Sequence, residues 1–267
     1  MIRRLSKHVY MVLMFAFLYA PVAVLIVFSF NKAKSRAVWG GFTLDWYSKL
    51  LHNDDILNAL KVTLIVALVS ALVSTLIATI TCIGLTAMRR RMRSVIMTIT
   101  FIPNVSPDLV TGIALMLLFF FIQMQTGFTT LLLAHIAFNI PYAILSISPK
   151  LAQLDRNLYE AALDLGCRPR QAITRVILPE IMPGIITALI LTFTLSIDDF
   201  VISYFTAGNQ ISTLAITIYS MARKSVNPQI NALSTLLFAC VLVLLLIVNF
   251  RSNRDMKMKA KNGGTSL

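Results

Sequence analysis

Long apolar stretches separated by short polar segments dominate the pattern of the 267-residue chain. A helix needs about 20 apolar residues to cross a bilayer core, whereas a barrel strand needs only about 10 of alternating polarity. The lengths therefore predict an all-α integral membrane protein with a single transmembrane domain, 1–267. Six spans are predicted, at about residues 9–29, 60–87, 95–122, 128–148, 182–205 and 232–250.

The polar links between these spans differ in length. The link after the first span contains GGFTLDWYSKLLHNDD, in which residues 43–51 are predicted to form a short helix at the membrane surface. The segment 150–180 is long enough to carry its own structure. Its pattern predicts an amphipathic helix over residues 154–165 that ends at Gly166, followed by a second helix that ends at Pro179.

Composition and charge agree with a membrane protein and set its orientation. Hydrophobic residues make up 57% of the chain and charged residues only 13%, with a net charge of +13. Most of the 24 Lys and Arg residues fall in links on the side of the N-terminus, including the basic tail 251–267. By the positive-inside rule, both termini are expected in the cytoplasm, and no nucleic-acid partner is needed to explain the charge.

The sequence YEAALDLGCRPRQAITRVILPEIMPG carries the most specific motif. It resembles the EAA motif of permease subunits in binding-protein-dependent ABC importers, EAA-x3-G-x9-I-x-LP, with Val176 in place of Ile as the one departure. The matching residues are Glu160, Ala161, Ala162, Gly166, Leu178 and Pro179. The resemblance implies a MetI-like permease fold with six transmembrane helices and a cytoplasmic coupling helix between helices 4 and 5. Glu160 would then contact the ATPase subunit, Gly166 would form the turn, and Leu178 and Pro179 would lead into span five.

Other segments extend the resemblance over nearly the whole chain. LYAPVAVLIVFSFN, GFTLDWYSKLL, SPDLVTGIALMLLF, FTLSIDDFVISYF and NPQINALST look like the spermidine/putrescine permeases of the PotC type. The resemblance implies a multi-pass protein of the bacterial inner membrane that imports polyamines. Its implied partners are a second homologous permease, two ATPase subunits and a periplasmic polyamine-binding protein. The chain contains no G-x4-G-K-[ST] sequence, so ATP, Mg and the hydrolytic activity are expected on the ATPase; no cofactor or metal is expected in this chain, and it is not expected to be an enzyme.

Three carboxylates lie deep within predicted spans: Asp108, Asp198 and Asp199. A charge at the centre of a membrane helix costs about 2.5–3.5 kcal/mol on insertion scales, and no Lys or Arg lies at a similar depth to pair with them. They are therefore expected to face the bundle interior and to mark a path for a cation.

Span three is predicted to be broken within FIPNVSPDLV, because Pro103 and Pro107 remove helix donors. The half before Pro103 would end in free carbonyls, and Asp108 would lie in the first turn of the outer half. This arrangement favours an ammonium group over phosphate, sulfate or a carboxylate.

Adjacent residues on a helix diverge by about 100°, so Asp198 and Asp199 cannot both face one ligand. One of them is expected to face the path, with Ser196 nearby favouring Asp198, and the other a partner subunit or a helix terminus; the sequence leaves open which is which. Tyr19 and Trp46 could complete the site through cation-π attraction. His135 and Asn139 are expected to form interhelical hydrogen bonds without a further role.

Two other functions are compatible with parts of the pattern. A permease for another small solute, such as an amino acid or an iron complex, would share the EAA motif. An intramembrane aspartyl protease could pair Asp108 with Asp199, but the G-x-G-D sequence of that class is absent and the EAA segment would have no purpose.

Overall fold

The computed structural model describes residues 2–34, 38–155, 157–224, 228–239 and 242–243. These residues form helices joined by short links, with one isolated bridge between Asn31 and Phe42. The helices are α1 Ile2–Ser29, α2 Asp45–Leu51, α3 Asp54–Ala87, α4 Arg90–Val105, α5 Asp108–Phe121, α6 Phe128–Ala152, α7 Asn157–Asp164, α8 Pro169–Ala172, α9 Leu178–Asp198, α10 Val201–Thr206 and α11 Leu214–Lys224. A π-helical turn, Ile173–Ile177, joins α8 to α9, and residues 228–239 are also helical.

The described residues form two compact units. A terminal unit draws on the described parts of Met1–Asp54 and Ile218–Leu267, and a central unit consists of Asp55–Thr217. The central unit contains the motif segment, residues 150–180, and the three carboxylates of the predicted spans, Asp108, Asp198 and Asp199. It therefore carries most of the candidate site.

Helices α3, α6 and α9 pack together as the core of the central unit. Small and branched apolar side chains meet there: Ala78, Cys82, Ala143, Ile144, Ile147, Ile181 and Ala188. Small residues let helix backbones approach closely, which is how membrane helices gain van der Waals contact without a hydrophobic driving force. A second cluster, Phe119, Ala134, Phe138 and Ile202, packs α5 and α10 against α6.

Among the residues that the structure describes, four helices are long and apolar enough to cross a membrane, or five if the bent pair α4 and α5 counts as one span. None of residues 7–28 of α1 is buried, which is expected of an apolar helix that faces lipid or another subunit. The sixth predicted span, 232–250, lies partly outside the described residues, and so does the whole tail 251–267.

Two predicted spans are interrupted rather than continuous. The third, 95–122, consists of α4 and α5, which meet at an angle of 106°. The fifth, 182–205, stops as α9 at Asp198 and resumes as α10 at Val201. The sequence predicts the first break from its prolines, but it gives no proline or glycine signal for the second.

The second helix of the motif segment does not end at Pro179, and that prediction is wrong. Helix α8 continues through the π turn into α9, so one helical stretch runs from Pro169 to Asp198. A proline at position 179 would press its ring against the carbonyl of residue 175 in a regular α-helix. The wider π turn Ile173–Ile177 lies just before Pro179 and relieves this conflict, since π turns commonly absorb such defects.

Candidate functional site

Each interrupted span places a carboxylate at the first turn of the helix that follows the break. Asp108 is the first residue of α5, and Asp199 precedes α10. Helix N-termini carry a partial positive charge and free N–H groups, which stabilise a carboxylate. Both breaks therefore offer a physical means of keeping a negative charge inside the membrane.

The first break is created by Pro107. Ser106 is extended, with φ −72° and ψ 139°, because the residue before a proline is pushed out of the helical region. The helix passes through Pro103 and ends at Val105, so the prediction that the inner half ends before Pro103 is wrong by one turn. The carbonyls at the end of α4 still point towards the break, and the Asp108 side chain is exposed.

The second break separates the two carboxylates of the couplet. Asp198 is the last residue of α9 and is exposed, whereas the side chain of Asp199 is only 7% exposed. The backbone at Asp199 is extended, with φ −64° and ψ 122°. The last carbonyls of α9 lose their helical donors here, so the exposed carboxylate of Asp198 lies at the negative end of a helix.

Asp199 caps α10 through its side chain. The backbone N–H of Ile202 donates to Oδ1 at 3.3 Å, and that of Ser203 donates to Oδ2 at 2.8 Å. The Ser203 hydroxyl also donates to Oδ2 at 2.9 Å. Asp199 thus binds a helix terminus, while Asp198 is left open to its surroundings.

The cap belongs to a buried polar cluster formed by α3, α6, α9 and α10. His135 approaches Asp199 Oδ2 with Nε2 at 3.6 Å. Its ring nitrogens contact Ser196 Oγ at 2.6 Å and Ser203 Oγ at 3.0 Å. Ser196 is in turn 3.3 Å from Ser70 Oγ. Ser196, named from the sequence as a residue of the substrate path, therefore lies inside this cluster and is 3% exposed.

Asn139 completes the cluster by donating from Nδ2 to Ser70 Oγ at 3.2 Å. His135 and Asn139 do form the expected interhelical contacts. What the sequence did not indicate is that these contacts converge on Asp199. The sequence gives a single indication that Ser70, His135 and Ser203 belong to this cluster: each is a polar residue within an apolar segment.

The two breaks come close together where α5 packs against α10. A Cβ placed on Gly112 would lie 3.1 Å from Phe205 Cδ2 and 3.5 Å from Ile202 Cα, so only glycine fits without a shift. Gly112 follows Asp108 by four residues, or about 6 Å along the helix axis. Each break thus lies about one helical turn from the same contact.

The two aromatic residues proposed for the path belong to the terminal unit. Tyr19 is 56% exposed on α1 and stacks on Phe15 with ring centroids 6.3 Å apart. Trp46 is buried in α2, where its Nε1 donates to the Asn31 carbonyl at 2.7 Å. The ammonium of Lys49 lies 4.8 Å from the Trp46 ring. Trp46 thus already has an intrachain hydrogen bond and an intrachain cation, and it fastens the loop rather than standing open.

The motif segment forms a helical corner. Helix α7 is shorter than the predicted 154–165, and Gly166 follows it with φ +87°, the left-handed conformation that favours glycine. The N–H of Cys167 donates to the Ala162 carbonyl at 3.0 Å and that of Gly166 to Leu163 at 2.9 Å, the Schellman pattern of a helix end.

Most of the motif residues on and just after α7 are exposed. Ala162 is buried, whereas Glu160, Ala161 and Leu165 are exposed, Leu165 to 87%. Leu178 is partly buried against the central core, and Pro179 is exposed in the first turn of α9. The exposed Leu165 is a large apolar side chain at the end of the helix, available for contact with another protein.

A protein-family model described as "Binding-protein-dependent transport system inner membrane component" matches residues 76–254. The chain is 38% identical to the spermidine/putrescine transport system permease protein PotC of Escherichia coli K12, over 92% of this chain and 93% of that protein. It is 36% identical to the putrescine transport system permease protein PotI of the same organism, over 96% and 94%.

Solved structures share the fold at lower identity. A chain of a bacterial alginate ABC transporter, in complex with alginate pentasaccharide-bound periplasmic protein, superposes with a TM-score of 0.71, 18% identity and 95% coverage of both chains. A chain of an amino acid ABC transporter gives a TM-score of 0.54 at 20% identity, covering 76% of this chain and 98% of that one. At these identities the likeness concerns the fold alone.

Proposed function

The chain belongs to the family of binding-protein-dependent transport system inner membrane components, and from this premise we propose that it is the permease subunit of an ATP-driven importer of polyamines, putrescine or spermidine. The observation that carries the substrate class is the identity of 36–38%, over more than nine-tenths of the chain, to permeases named for spermidine and putrescine. The chain itself is a transport subunit and not an enzyme.

The electrostatics of the two breaks support a cationic substrate. At each break the carbonyl end of a helix, α4 or α9, faces the interruption, and a carboxylate side chain, Asp108 or Asp198, is exposed there. Carbonyl oxygens and carboxylates accept hydrogen bonds from a primary ammonium and balance its charge. In the proposed path, these two residues receive the polyamine, Asp199 shapes the break, and Tyr19, Trp46 and Ser196 contribute through packing and positioning.

The proposed assembly contains a second homologous permease, two ATPase subunits and a periplasmic polyamine-binding protein. ATP and Mg would be bound by the ATPases. The permease would lie in the bacterial inner membrane with six spans and both termini in the cytoplasm. The exposed face of α7, with Glu160 and Leu165, would then bind an ATPase on the cytoplasmic side.

The course of the chain supports a direct mechanical connection between the proposed ATPase contact at α7 and the proposed substrate path. The helical stretch Pro169–Asp198 starts at the α7 corner and ends at the carboxylate couplet, a length of about 45 Å at 1.5 Å per residue. A displacement of α7 by the ATPases would therefore move the end of α9. In the proposed cycle, this motion opens the Asp108 and Asp198 region first to the periplasm and then to the cytoplasm.

The two alternatives are less well supported. An amino acid or iron-complex permease would share the family, but the polyamine permeases match over nearly the whole chain and at higher identity than the amino acid transporter of known structure. A protease dyad of Asp108 and Asp199 would need a shared proton, whereas both Asp199 oxygens already accept bonds from α10.

The test is transport by the assembled complex, with its own binding protein, in proteoliposomes. We expect ATP-dependent uptake of labelled spermidine or putrescine, with competition from unlabelled polyamine but not from a neutral diol of the same length or from amino acids. A complex with a catalytically inactive ATPase is the control for leak. Uptake that ignores polyamines and responds to an amino acid or an iron complex would overturn the substrate assignment.

A further inference from the structure

The polar cluster around His135 is almost completely withdrawn from its surroundings. Relative exposure is 0% for Ser70, Asn139 and Ser203, 2% for His135 and 3% for Ser196. Buried polar groups in a membrane protein are costly unless each finds a partner. Five such residues converge on the single carboxylate of Asp199, which indicates a role in positioning that carboxylate in addition to holding the helices together.

The bonds of the cluster run in one direction. Asn139 Nδ2 can only donate, so Ser70 Oγ accepts from it. The Ser70 hydroxyl then donates to Ser196 Oγ at 3.3 Å, where the Ala67 carbonyl is a competing acceptor at the same distance. At the other end, the Ser203 hydroxyl gives its one proton to Asp199 Oδ2.

This direction determines the tautomer of His135. Because the Ser203 proton is used on Asp199, Ser203 Oγ must accept the bond from His135, and Nε2 therefore carries the hydrogen. Nδ1 is left as an acceptor for the Ser196 hydroxyl at 2.6 Å. A neutral Nε2–H imidazole is the form that satisfies both contacts.

The carboxylate of Asp199 accepts the last bond of this chain. Its oxygens accept two backbone N–H bonds and one hydroxyl bond at the N-terminus of α10, and the His135 N–H points at the same side from 3.6 Å. Hydrogen bonds that donate towards an ionised group are the strong ones and replace the water that the carboxylate lacks. Three hydrogen bonds thus engage Asp199 within the chain, whereas Asp198 is the exposed carboxylate of the couplet.

We propose that His135 is a positioning residue for transport: as the neutral Nε2–H tautomer, it holds Asp199 as the cap of α10 through Ser203 and holds the end of α9 through Ser196. The break, and with it the direction of Asp198, is fixed by this ring. The inference rests on the proposed function for its transport consequence, but its geometric part concerns the chain alone.

The tautomer can be measured on the unmodified complex. Histidine labelled with ¹⁵N gives signals for only three residues of this chain, His8, His52 and His135, when the permease alone is labelled before assembly. We expect the His135 signals, assigned by their loss in a His135→Gln variant, to show one protonated and one unprotonated nitrogen with the proton on Nε2. A proton on Nδ1, or on both nitrogens, would overturn the proposal.

The transport consequence is tested by a matched pair of substitutions. A glutamine amide nitrogen reaches about the position of Nε2 and can still donate to Ser203, whereas asparagine reaches only the position of Nδ1. We expect His135→Asn to raise the KM for polyamine uptake about tenfold, the size expected for one lost bond in a chain that ends on a charged group, and His135→Gln to restore most of it. The maximal rate per assembled complex should change less than KM.

The control removes a buried interhelical bond that lies outside the cluster. Thr130 Oγ1 lies 2.8 Å from the Thr206 carbonyl, joining α6 to the other end of α10, and it also accepts from the Gly127 N–H at the start of α6 at 2.8 Å. Thr130→Val should lower the thermal stability and leave KM unchanged. Equal KM in the His135→Asn, His135→Gln and unmodified complexes would refute the positioning role. Absence of polyamine uptake by the unmodified complex would instead refute the proposed function, and the tautomer measurement would remain valid. If His135→Asn does not assemble, the tautomer measurement decides the proposal by itself.

Discussion

Asp199 illustrates how a carboxylate is kept in a membrane helix without a basic partner. Among the described residues its ion-pair contact within 4 Å is with His135, and its oxygens accept bonds from backbone N–H groups at the start of α10. The helix dipole and the backbone N–H groups stabilise the carboxylate, as the positive charge of a lysine does in an ion pair. Asp198, one residue earlier, has a different environment because it ends α9 and is exposed.

This difference predicts opposite phenotypes for the two neighbours. Asp199→Ala removes the cap and leaves the Ser203 donors buried and unpaired, at a cost of about 2–3 kcal/mol. Asp198→Ala should change stability by no more than about 0.5 kcal/mol but should lower polyamine uptake strongly. Thermal unfolding of the purified complex and uptake in proteoliposomes measure the two effects, and the reverse order of stabilities would contradict this division.

Asp108 allows a second prediction at the same scale. Its side chain is exposed at the first turn of α5, so Asp108→Asn should preserve assembly and lower uptake by removing a charge from the path. Asp54→Asn, at the exposed start of α3, is a matched loss of charge outside the proposed path. Uptake that is equal in the two variants would count against a role for Asp108 in the path.

At the scale of elements, two local backbone features connect the motif segment to the path. Gly166 closes α7 in a left-handed conformation, and the π turn Ile173–Ile177 allows the helix to pass Pro179. Together they turn the chain through a corner and then continue it without interruption to Asp198. The stiffness of this stretch is what would transmit motion.

Gly166 can be tested without steric complications, because a Cβ there would meet nothing within 4 Å. Any cost is therefore conformational. Gly166→Val should destabilise the corner by about 1–2 kcal/mol, whereas Gly166→Asn should cost less, since asparagine tolerates the left-handed region. Thermal stability and stimulated ATP hydrolysis of the complex report the difference; identical values for both variants would contradict the backbone argument.

Gly112 allows a different test, because a larger side chain there would collide with α10. Gly112→Leu should force α5 away from Phe205 and Ile202, cost about 1–3 kcal/mol and lower uptake, because the two breaks share this contact. Gly84→Leu is the matched control, since a Cβ at Gly84 meets nothing within 4 Å. Normal uptake by Gly112→Leu would show that the packing of α5 on α10 does not matter for the path.

At the scale of the whole molecule, each of the two units carries helices with exposed apolar residues in the part of the chain that the structure describes. Helix α4 has no buried residue, α1 has none among residues 7–28, and both Glu160 on α7 and Leu165 just after it are exposed. Such surfaces are expected of a subunit that is covered by lipid and by partner subunits.

The α7 surface gives a prediction for assembly. Glu160→Arg reverses an exposed charge and should reduce co-purification of the ATPase and stimulated ATP hydrolysis, while the permease itself stays folded. Asp54→Arg, an exposed reversal far along the chain from α7, should leave both unchanged. Normal association of the Glu160→Arg permease would exclude α7 as the ATPase contact.

Sequence periodicity and residue type were sufficient for the features that depend on local physics. Apolar length determined the helices, Pro107 the break before Asp108, and Gly166 the end of α7, because each acts on backbone within a few residues of itself. The second break was different. No proline or glycine marks it, and the one local feature used to distinguish Asp198 from Asp199, the nearby Ser196, belongs in the structure to the cluster around His135.

Only the tertiary structure separated those two carboxylates. Asp199 is drawn into a cluster whose other members lie on α3, α6, α9 and α10, up to 126 residues apart in one hydrogen bond, that of Ser70 with Ser196. Contacts of this kind depend on which helix faces meet, and a single sequence does not encode that in any local pattern. The sequence placed the charges in the membrane, and helix packing decided which one is capped and which one is exposed.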